Sequence, residues 1–339
     1  MAAVPAGEGM LKDGQFHSLD CAPKEGTKRM IQRIKDYLVA LGPKNPIVRV
    51  AVRLHARRNG FAITFSDNSI AIERKNRRIV VGNKDLYLVP ITMECFDQCF
   101  GDVIPKREGS IEVLNFSGPG SYQYKRHEVS LSFPGAPEED SIAAYTHWHV
   151  PQPGELVFDA GAHAGFTTCM FAKMVGAQGK VVAFEPDATT FEYLKKNVLS
   201  QGLTNVTLVP KALDANTGTA YFNADGTMGA GLVEHSVYGN TGQHIAVETL
   251  SLQDACQQYG VPNFLKMDIE GAEISVLEAG KDFLRAHPMH LAFDSYHRMR
   301  DGRFTWTLLE PMLRALNYRV ESSAEFGQVF TWAMPNGAS

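Results

Sequence analysis

The ten residues LVFDAGAHAG, from Leu156 to Gly165, decide the fold of this 339-residue chain. A short apolar run ends in the acid Asp159, a glycine-rich turn follows, and a helical pattern begins near Phe166. This order predicts a buried β-strand, a tight turn and a helix, which together form one unit of a parallel α/β sheet. Ligands of such sheets bind beyond the carboxyl ends of the strands, so the turn is a candidate binding site.

The spacing of the glycines limits what this turn can bind. A dinucleotide-binding turn, G-x-G-x-x-G, would need glycine at the positions that His163 and Phe166 occupy here. Gly161 permits tight turning and close backbone approach, and Gly165 permits close packing of the helix on the strand. We therefore expect a ligand without a pyrophosphate. The alternative is a tight turn that binds nothing.

Further apolar runs follow at intervals and are separated by helical patterns; they are 181–184, 206–209, 264–267 and 290–293. Strands that alternate with helices predict a parallel sheet with both faces covered. The last two strand patterns, near 318–322 and 327–333, are joined by a short turn. This arrangement favours an antiparallel hairpin at one edge of the sheet.

Ionisable side chains gather where these strands end. Glu185 follows the run VVAF, and a carboxylate at that point can accept hydrogen bonds from both hydroxyls of a ribose; Pro186 then stops the strand. The string KMDIEGAE brings Lys266, Asp268 and Glu270 together at another strand end. Crowding of two acids raises the pKa of one of them, which suits a general base or a metal ligand. The alternative is a solvated turn in which Lys266 pairs with its neighbours.

A histidine follows the next strand, in the string FDSYHR at 293–298. His297 can change its charge near neutral pH, so it is a candidate to remove a proton from a substrate. A single histidine is more often structural, and both roles stay open.

The composition sets outer limits on the function. The chain is 44% hydrophobic and 21% charged, as globular proteins are, which excludes a disordered or collagen-like chain. The net charge of −4 argues against a globally basic nucleic-acid binder. We find no apolar run that could span a membrane and no signal peptide, and five sparse cysteines fit reduced thiols, so we expect a cytoplasmic protein.

The charge is divided unevenly along the chain. Residues 1–150 hold 20 Lys and Arg and 17 Asp and Glu, which gives a net charge of +3. Residues 151–339 hold the remaining 13 Lys and Arg and 20 Asp and Glu, which gives a net charge of −7. We therefore expect an α+β accessory region over 1–140, which covers the substrate or dimerises, and an α/β domain over 141–339. The basic run at 24–58 has three interpretations. We favour a solvated helix face, then a surface that binds an anionic substrate or carrier, and last a surface that binds nucleic acid.

The accessory region gives weaker local signals. We predict a loose leader over 1–26, helices over 28–41, 46–58 (with a strand as the alternative) and 85–101, and short strands within 61–82 and 110–134. Cys95 and Cys99 lie four residues apart on the third helix and share one face. Because no further ligand stands at zinc spacing, we expect ordinary packing there.

Together these motifs resemble the FkbM-type family of S-adenosylmethionine-dependent methyltransferases. The resemblance covers about residues 150–335 and lies in VFDAGAHAGFTT (157–168), VVAFEPDATTFEYLKKN (181–197), FLKMDIEGAEISVLEAG (264–280) and YHRMRD (296–301). The string K-x-D-x-E-G-x-E is its most specific part, whereas D-x-G-x-x-x-G is shared by most methyltransferases of this fold.

The resemblance implies the class I methyltransferase fold, a Rossmann-like doubly wound sheet of seven strands whose last strand is antiparallel. It implies O-methylation of a hydroxyl on a sugar, a natural product or another small molecule, which is free or carrier-bound. A nucleic-acid methyltransferase is an alternative that the acidic net charge disfavours, and a binding protein that keeps the fold without turnover is another. A homo-oligomer is compatible with the sequence.

The resemblance also assigns candidate site residues. The cofactor-binding residues it implies are Asp159, Gly161, His163, Gly165, Glu185, Pro186, Ala212, Leu213 and Asp268. For the proton of the acceptor hydroxyl we consider Asp268 or His297, with Glu270 in support. Many family members have a glutamate-containing strand end where this chain has Asp294 to His297, so the base stays open. We predict no resident metal, although a divalent cation held by Asp268, Glu270 and a later His or Asp is an alternative.

Overall fold

The computed structural model describes residues 44–86, 88–224, 243–299 and 301–337, so the predicted leader over 1–26 and helix over 28–41 lie outside the described residues. Within these ranges, no helix is long and apolar enough to cross a membrane. The helices are α1 Pro46–Arg58, α2 Leu88–Glu94, α3 Phe96–Asp102, α4 Ile142–Tyr145, α5 Phe166–Val175, α6 Ala188–Ser200, α7 Leu252–Tyr259, α8 Glu273–Ala286 and α9 Trp306–Ala315.

The strands follow the same chain order. They are β1 Ala62–Phe65, β2 Ser69–Arg74, β3 Arg77–Gly82, β4 Lys106–Glu108, β5 Ile111–Phe116, β6 Gly120–Tyr124, β7 Val129–Phe133, β8 Leu156–Ala160, β9 Lys180–Phe184, β10 Val206–Val209, β11 Ala212–Leu213, β12 Gly218–Ala224, β13 Gln243–Leu250, β14 Phe264–Met267, β15 His290–Asp294, β16 Tyr318–Ser323 and β17 Phe330–Pro335.

The large sheet has the strand order β10-β9-β8-β14-β15-β17-β16. The strands from β10 to β15 pair in parallel, whereas β17 is antiparallel to both β15 and β16. This is the seven-stranded doubly wound sheet with a reversed strand and an edge hairpin that the sequence predicts. The strand order reverses between β8 and β14, so their carboxyl ends flank the point where ligands of open α/β sheets bind.

Burial on both faces explains why these strands read as apolar runs. Side chains alternate across the sheet, so Val157 lies in one hydrophobic core and Phe158 in the other. The same alternation holds in β9, where Val181 and Val182 lie in opposite cores. Because helices cover both faces, most side chains of the central strands are apolar, and the polar side chains collect near the strand ends, with Asp159 and Lys266 as paired exceptions.

The stretch predicted as an accessory region, residues 1–140, contains in its described part a second sheet, of order β1-β2-β3-β5-β4. Strands β1 to β3 form an antiparallel meander, as predicted, and β5 pairs in parallel with β3. The segment 46–58 is a helix, with Val48 and Ala56 buried. On its polar side, the guanidinium groups of Arg49 and Arg53 lie 5.2 and 5.3 Å from the ring centre of Phe65, which is cation–π distance.

Two local predictions need correction. The single helix predicted over 85–101 is two helices, α2 and α3, that meet at Cys95. The break turns Phe96 and Phe100 into the core, where the ring of Phe96 lies 5.1 Å from that of Phe61, so packing overrides the local helical pattern. The sulfur atoms of Cys95 and Cys99 nevertheless lie 3.7 Å apart.

The second correction concerns an inserted sheet that the sequence analysis missed. Strands β12 and β13 form an antiparallel hairpin, and the two-residue strand β11 pairs in parallel with the end of β13. The hairpin stands between β10 and α7, where the large sheet itself needs only a loop.

One asparagine ties the accessory region to the large sheet. Asn197 of α6 is 1% exposed, and its side chain accepts a hydrogen bond from the amide of Ser132 in β7 at 2.7 Å. It also donates to the carbonyls of Ser132 and Ala164, both at 2.8 Å. Three buried backbone groups from two parts of the chain thus depend on one side chain.

We predict that Asn197→Ala lowers the free energy of unfolding by about 3 kcal/mol, because the backbone groups that it leaves would be buried without partners. Urea unfolding followed by circular dichroism measures the change. Lys196→Ala, an exposed position on the same helix, is the control and should stay within about 0.5 kcal/mol of the parent. Equal effects of the two substitutions would contradict this role.

Candidate functional site

The turn after β8 is built on a buried acid. One carboxylate oxygen of Asp159, Oδ2, accepts hydrogen bonds from the hydroxyls of Thr167 at 2.8 Å and Thr168 at 2.6 Å, both in the first turn of α5. The other oxygen, Oδ1, lies 3.1 Å from Nζ of Lys266 in β14. Asp159 has no exposed surface. The structure therefore places this predicted cofactor residue behind the turn, where it joins β8, α5 and β14.

Lys266 holds the same turn from the neighbouring strand. Its ammonium donates to the carbonyls of Ala160 at 3.3 Å and Gly161 at 2.6 Å, in addition to its contact with Asp159. Burial alone lowers the pKa of Lys266, but the attraction of Asp159 and Asp268 outweighs it and the pKa is raised. Lys266 is therefore a buried structural cation. The alternative prediction, a solvated turn in which Lys266 pairs with its neighbours, is wrong, because the side chain is 2% exposed.

The two glycines permit close approaches that no other residue allows. Gly161 has φ +73°, and a Cβ there would overlap the backbone carbonyl of Asp268, so the turns after β8 and β14 touch. Gly165 has φ +94°, and a Cβ there would lie 2.5 Å from a methyl group of Leu194 in α6. The close packing predicted at Gly165 is thus against a helix rather than a strand.

His163 links this turn to the accessory region. Its backbone, at φ +46°, is left-handed, and its amide donates to Oε2 of Glu185 at 2.9 Å. Its Nδ1 lies 3.0 Å from Oε1 of Glu138, in the loop before α4. Burial acts to lower the pKa of His163, but the hydrogen bond to Glu138 and the charge of that residue raise it. The sequence analysis missed Glu138, for which the only signal was an acidic run, Glu138 to Asp140, in a basic region.

Glu185 directly follows β9 and is buried. Its Oε1 accepts from the amide of Asp187 and its Oε2 from that of His163, each at 2.9 Å. Burial raises the pKa of Glu185 to about 7, although His163 and the two amides counteract it. Each carboxylate oxygen keeps a second lone pair, so the residue can still accept hydrogen bonds from two hydroxyls of a ligand.

The other predicted cofactor residues extend along the same edge of the sheet. Pro186 follows Glu185, and Asp187 caps α6 by accepting from the amide of Thr190 at 2.7 Å. The amide of Glu185 donates to the last carbonyl of β10 at 3.1 Å, so the segment after β10 begins beside it. Ala212 and Leu213 lie three and four residues further on, in β11, and both are buried.

The predicted catalytic residues meet in one group, which we call the acid–histidine cluster: Asp268, Glu270, Glu273, Asp294 and His297. Strands β14 and β15 are parallel neighbours, so the segments that follow them lie side by side. His297 Nε2 lies 3.5 Å from Asp268 Oδ1 and 3.7 Å from Glu270 Oε2, and its Nδ1 lies 3.4 Å from Glu273 Oε1.

The cluster holds more negative charge than one imidazole can neutralise. Burial and the neighbouring Asp268 hold the pKa of Asp294 well above its ordinary value. Burial acts to lower the pKa of His297, but Glu270 and Glu273 raise it well above the usual range. Glu270 also has a left-handed backbone, φ +57°, which is uncommon for a residue other than glycine and is typical of functional turns.

Asp268 is the most exposed member of the cluster, with 33% of its side chain exposed. Tyr145 of α4 donates its hydroxyl to Asp268 Oδ2 at 3.1 Å, and the tyrosine ring lies 5.3 Å from Nζ of Lys266. The sequence analysis missed Tyr145, whose one signal was its place in an apolar segment at the predicted domain boundary. Asp268 is thus held between Tyr145 and His297, with its carboxylate at the open side of the cluster.

Comparison with known proteins agrees with the motifs. Residues 159–320 match the model of the methyltransferase FkbM domain, and no curated protein matches the chain. Among solved structures, FkbM methyltransferase from Methylobacillus flagellatus is 18% identical, with 56% of this chain and 45% of that chain covered and a TM-score of 0.41. The match therefore spans less than half of that relative's length.

Two further solved structures are similar to this chain. A SAM-dependent methyltransferase from Aquifex aeolicus is 19% identical, with 55% of this chain and 84% of that chain covered and a TM-score of 0.34. Precorrin-6y C5,15-methyltransferase from Geobacter metallireducens is 12% identical, with 59% of this chain and 90% of that chain covered and a TM-score of 0.38. The family model and the four motifs agree: residues 159–320 match the methyltransferase FkbM domain, which confirms the resemblance found in the sequence.

Proposed function

We propose that this protein is an S-adenosylmethionine-dependent O-methyltransferase that acts on a hydroxyl of a sugar, a natural product or another small molecule. One observation carries the proposal. The glycine turn after β8 touches the backbone of Asp268, and Asp268 is the first residue of the acid–histidine cluster. A cofactor bound at the turn and an acceptor bound at the cluster would therefore be neighbours.

The chemistry of the turn fits the cofactor in three places. Glu185 would hold the two ribose hydroxyls, the turn with His163 and Gly165 would enclose the methionine part, and Ala212 with Leu213 would flank the adenine. S-adenosylmethionine supplies the methyl group when it is bound. Asp159 contributes indirectly, because it fixes the turn from inside.

Asp268 is the residue that we propose accepts the proton of the acceptor hydroxyl. It is the most exposed member of the cluster, and the hydroxyl of Tyr145 fixes one of its carboxylate oxygens. His297 is 95% buried behind it, so we propose that His297 positions Asp268 and does not touch the acceptor. Glu270, with 17% of its side chain exposed, supports the same edge.

The charges around the site favour a neutral hydroxylated acceptor. Asp268, Glu270 and Glu138 all carry carboxylates near the proposed opening, and these repel a polyanion such as a nucleic-acid backbone. A neutral acceptor of this kind could be a free small molecule or a group attached to a carrier. We propose that the region before residue 141 covers the cofactor turn, since Glu138 contacts His163. Cys95, Cys99, Cys169 and Cys256 are free thiols, which supports a cytoplasmic location.

We expect Glu185→Gln to weaken S-adenosylmethionine binding about 10- to 100-fold, because two charge-assisted hydrogen bonds to the ribose lose the charge on their acceptor. Isothermal titration calorimetry measures the affinity. Glu192→Gln makes the same chemical change at an exposed site on α6 and should leave the affinity unchanged. Unchanged affinity in Glu185→Gln would contradict the ribose assignment.

Cofactor affinity should also fall with pH. The pKa of Glu185 is raised to about 7, so its carboxyl gains a proton as the pH falls from 8 to 6 and becomes a poorer acceptor for ribose hydroxyls. We expect binding to weaken about tenfold across this interval, given the change in the ionised fraction. Calorimetry at both pH values tests this, and Glu185→Gln, which keeps the charged neighbours His163 and Asp187, should have a much flatter profile. An equally steep profile in that variant would assign the effect to another group.

We expect Asp268→Asn to lower the rate of methyl transfer at least about 100-fold, since the variant cannot accept the hydroxyl proton. Its affinity for S-adenosylmethionine and its thermal unfolding should change little. Transfer of labelled methyl to a panel of sugars, phenols and carrier-bound acids provides the assay. Asp301→Asn, an exposed acid in the loop after His297, is the control. Full turnover by Asp268→Asn would show that another residue is the base.

A further inference from the structure

The acid–histidine cluster has the dimensions of a metal site. Asp268, Glu270 and His297 each offer one ligand atom, and these atoms all lie within 4.8 Å of one another. The imidazole Nε2 lies 3.5 and 3.7 Å from the nearest oxygens of the two acids. Charge-assisted hydrogen bonds are shorter, about 2.7–2.9 Å. Two ligands that each lie about 2.1 Å from a shared tetrahedral ion are about 3.4 Å apart.

The histidine itself lacks the partners that a buried imidazole needs. His297 is 5% exposed, and neither ring nitrogen has a hydrogen bond to any described residue. Polar atoms left in this state cost free energy, so a buried ring without partners calls for an explanation. Carboxylate oxygens of Asp268 and Glu270 lie 3.5 and 3.7 Å from its Nε2. A cation between these three groups would satisfy it.

The other ring nitrogen faces a carboxylate, as in many metal-bound histidines. Nδ1 lies 3.4 Å from Oε1 of Glu273, and that oxygen is fixed by the amide of Ile269 at 2.9 Å. A metal-bound histidine usually directs its second nitrogen at such a carboxylate, which sets the tautomer and the ring orientation. Glu273 is fully buried, so its position is determined by the fold.

The surrounding charge also favours a cation. Buried oxygens of Glu273 and Asp294 have no hydrogen bond to any described residue. The lysine of the adjoining strand, Lys266, is held by Asp159. A divalent cation would offset the surplus of carboxylates.

We propose that Asp268, Glu270 and His297 bind a divalent transition-metal cation, with Glu273 orienting the imidazole. Two carboxylates and one imidazole form a mixed oxygen and nitrogen set that suits Mn²⁺ or Zn²⁺. The open side of the site lies at Asp268, where an acceptor hydroxyl could become a further ligand. With Asp268 Oδ1 on the cation, the hydroxyl would pass its proton to Oδ2, the oxygen that Tyr145 contacts. This role in catalysis rests on the proposed O-methyltransferase function, whereas binding of the cation does not.

The test is a titration of the full-length protein with Mn²⁺ after treatment with a chelator. The electron paramagnetic resonance signal of free Mn²⁺ and calorimetry should report one site per chain. Glu270→Gln and Asp268→Asn should each weaken binding at least about tenfold, as loss of one ligand requires. His297→Ala removes the third ligand and should weaken binding as well. The two acid variants keep the size of the side chain, so they carry the test if His297→Ala fails to fold. Glu192→Gln is the matched control and should bind as the parent does.

Zn²⁺ in the same titration identifies the preferred ion, and Zn²⁺ binding with the same dependence on the variants also supports the site. Binding of neither ion, or binding that ignores both substitutions, overturns the proposal. The same samples are then titrated with S-adenosylmethionine. Cofactor binding without metal binding overturns only the metal site, whereas metal binding without cofactor binding contradicts the proposed function.

Discussion

Lys266 and Asp159 are 2% and 0% exposed, and their charged atoms lie 3.1 Å apart in the centre of the large sheet. Neither charge is tolerable alone in such an interior, because desolvating one unpaired ion costs several kcal/mol. The remaining hydrogen-bonding capacity of the pair is used by two threonine hydroxyls and two backbone carbonyls. These contacts join the turn after β8, the start of α5 and strand β14, so the ion pair is the constraint on which the site depends.

The consequences of this pair reach both halves of the site. Because the turn after β8 is drawn to β14, only glycine fits at position 161, where the turn meets the backbone of Asp268. The backbone of His163 then reaches Glu185 on the next strand, and Asp268 stands in contact with Tyr145 and His297. A turn suited to a nucleoside cofactor and a cluster suited to removing a proton therefore lie next to each other, although they come from strands more than 100 residues apart in the chain.

The sequence predicts the large sheet well, because strands buried on both faces must be apolar and must end where polar residues begin. It also predicts Glu185, Asp268, Glu270 and His297 as site candidates, since each lies within four residues of the end of such a run. It does not reveal pairings set by register: Lys266 lies directly opposite Asp159 only because β14 pairs with β8 in one particular alignment. The sequence also does not reveal the contact between Tyr145 and Asp268, because the two residues lie 123 positions apart in the chain. The inserted β12–β13 hairpin was missed as well.

We propose that the turn after β8 and the acid–histidine cluster form one site for methyl transfer. A crystal structure of the protein with bound S-adenosylhomocysteine, the demethylated cofactor, tests it most directly. We expect both ribose hydroxyls to lie within hydrogen-bonding distance of Glu185 and the sulfur atom to lie on the side of Asp268. A ligand bound elsewhere, or one whose sulfur points away from Asp268, would contradict it.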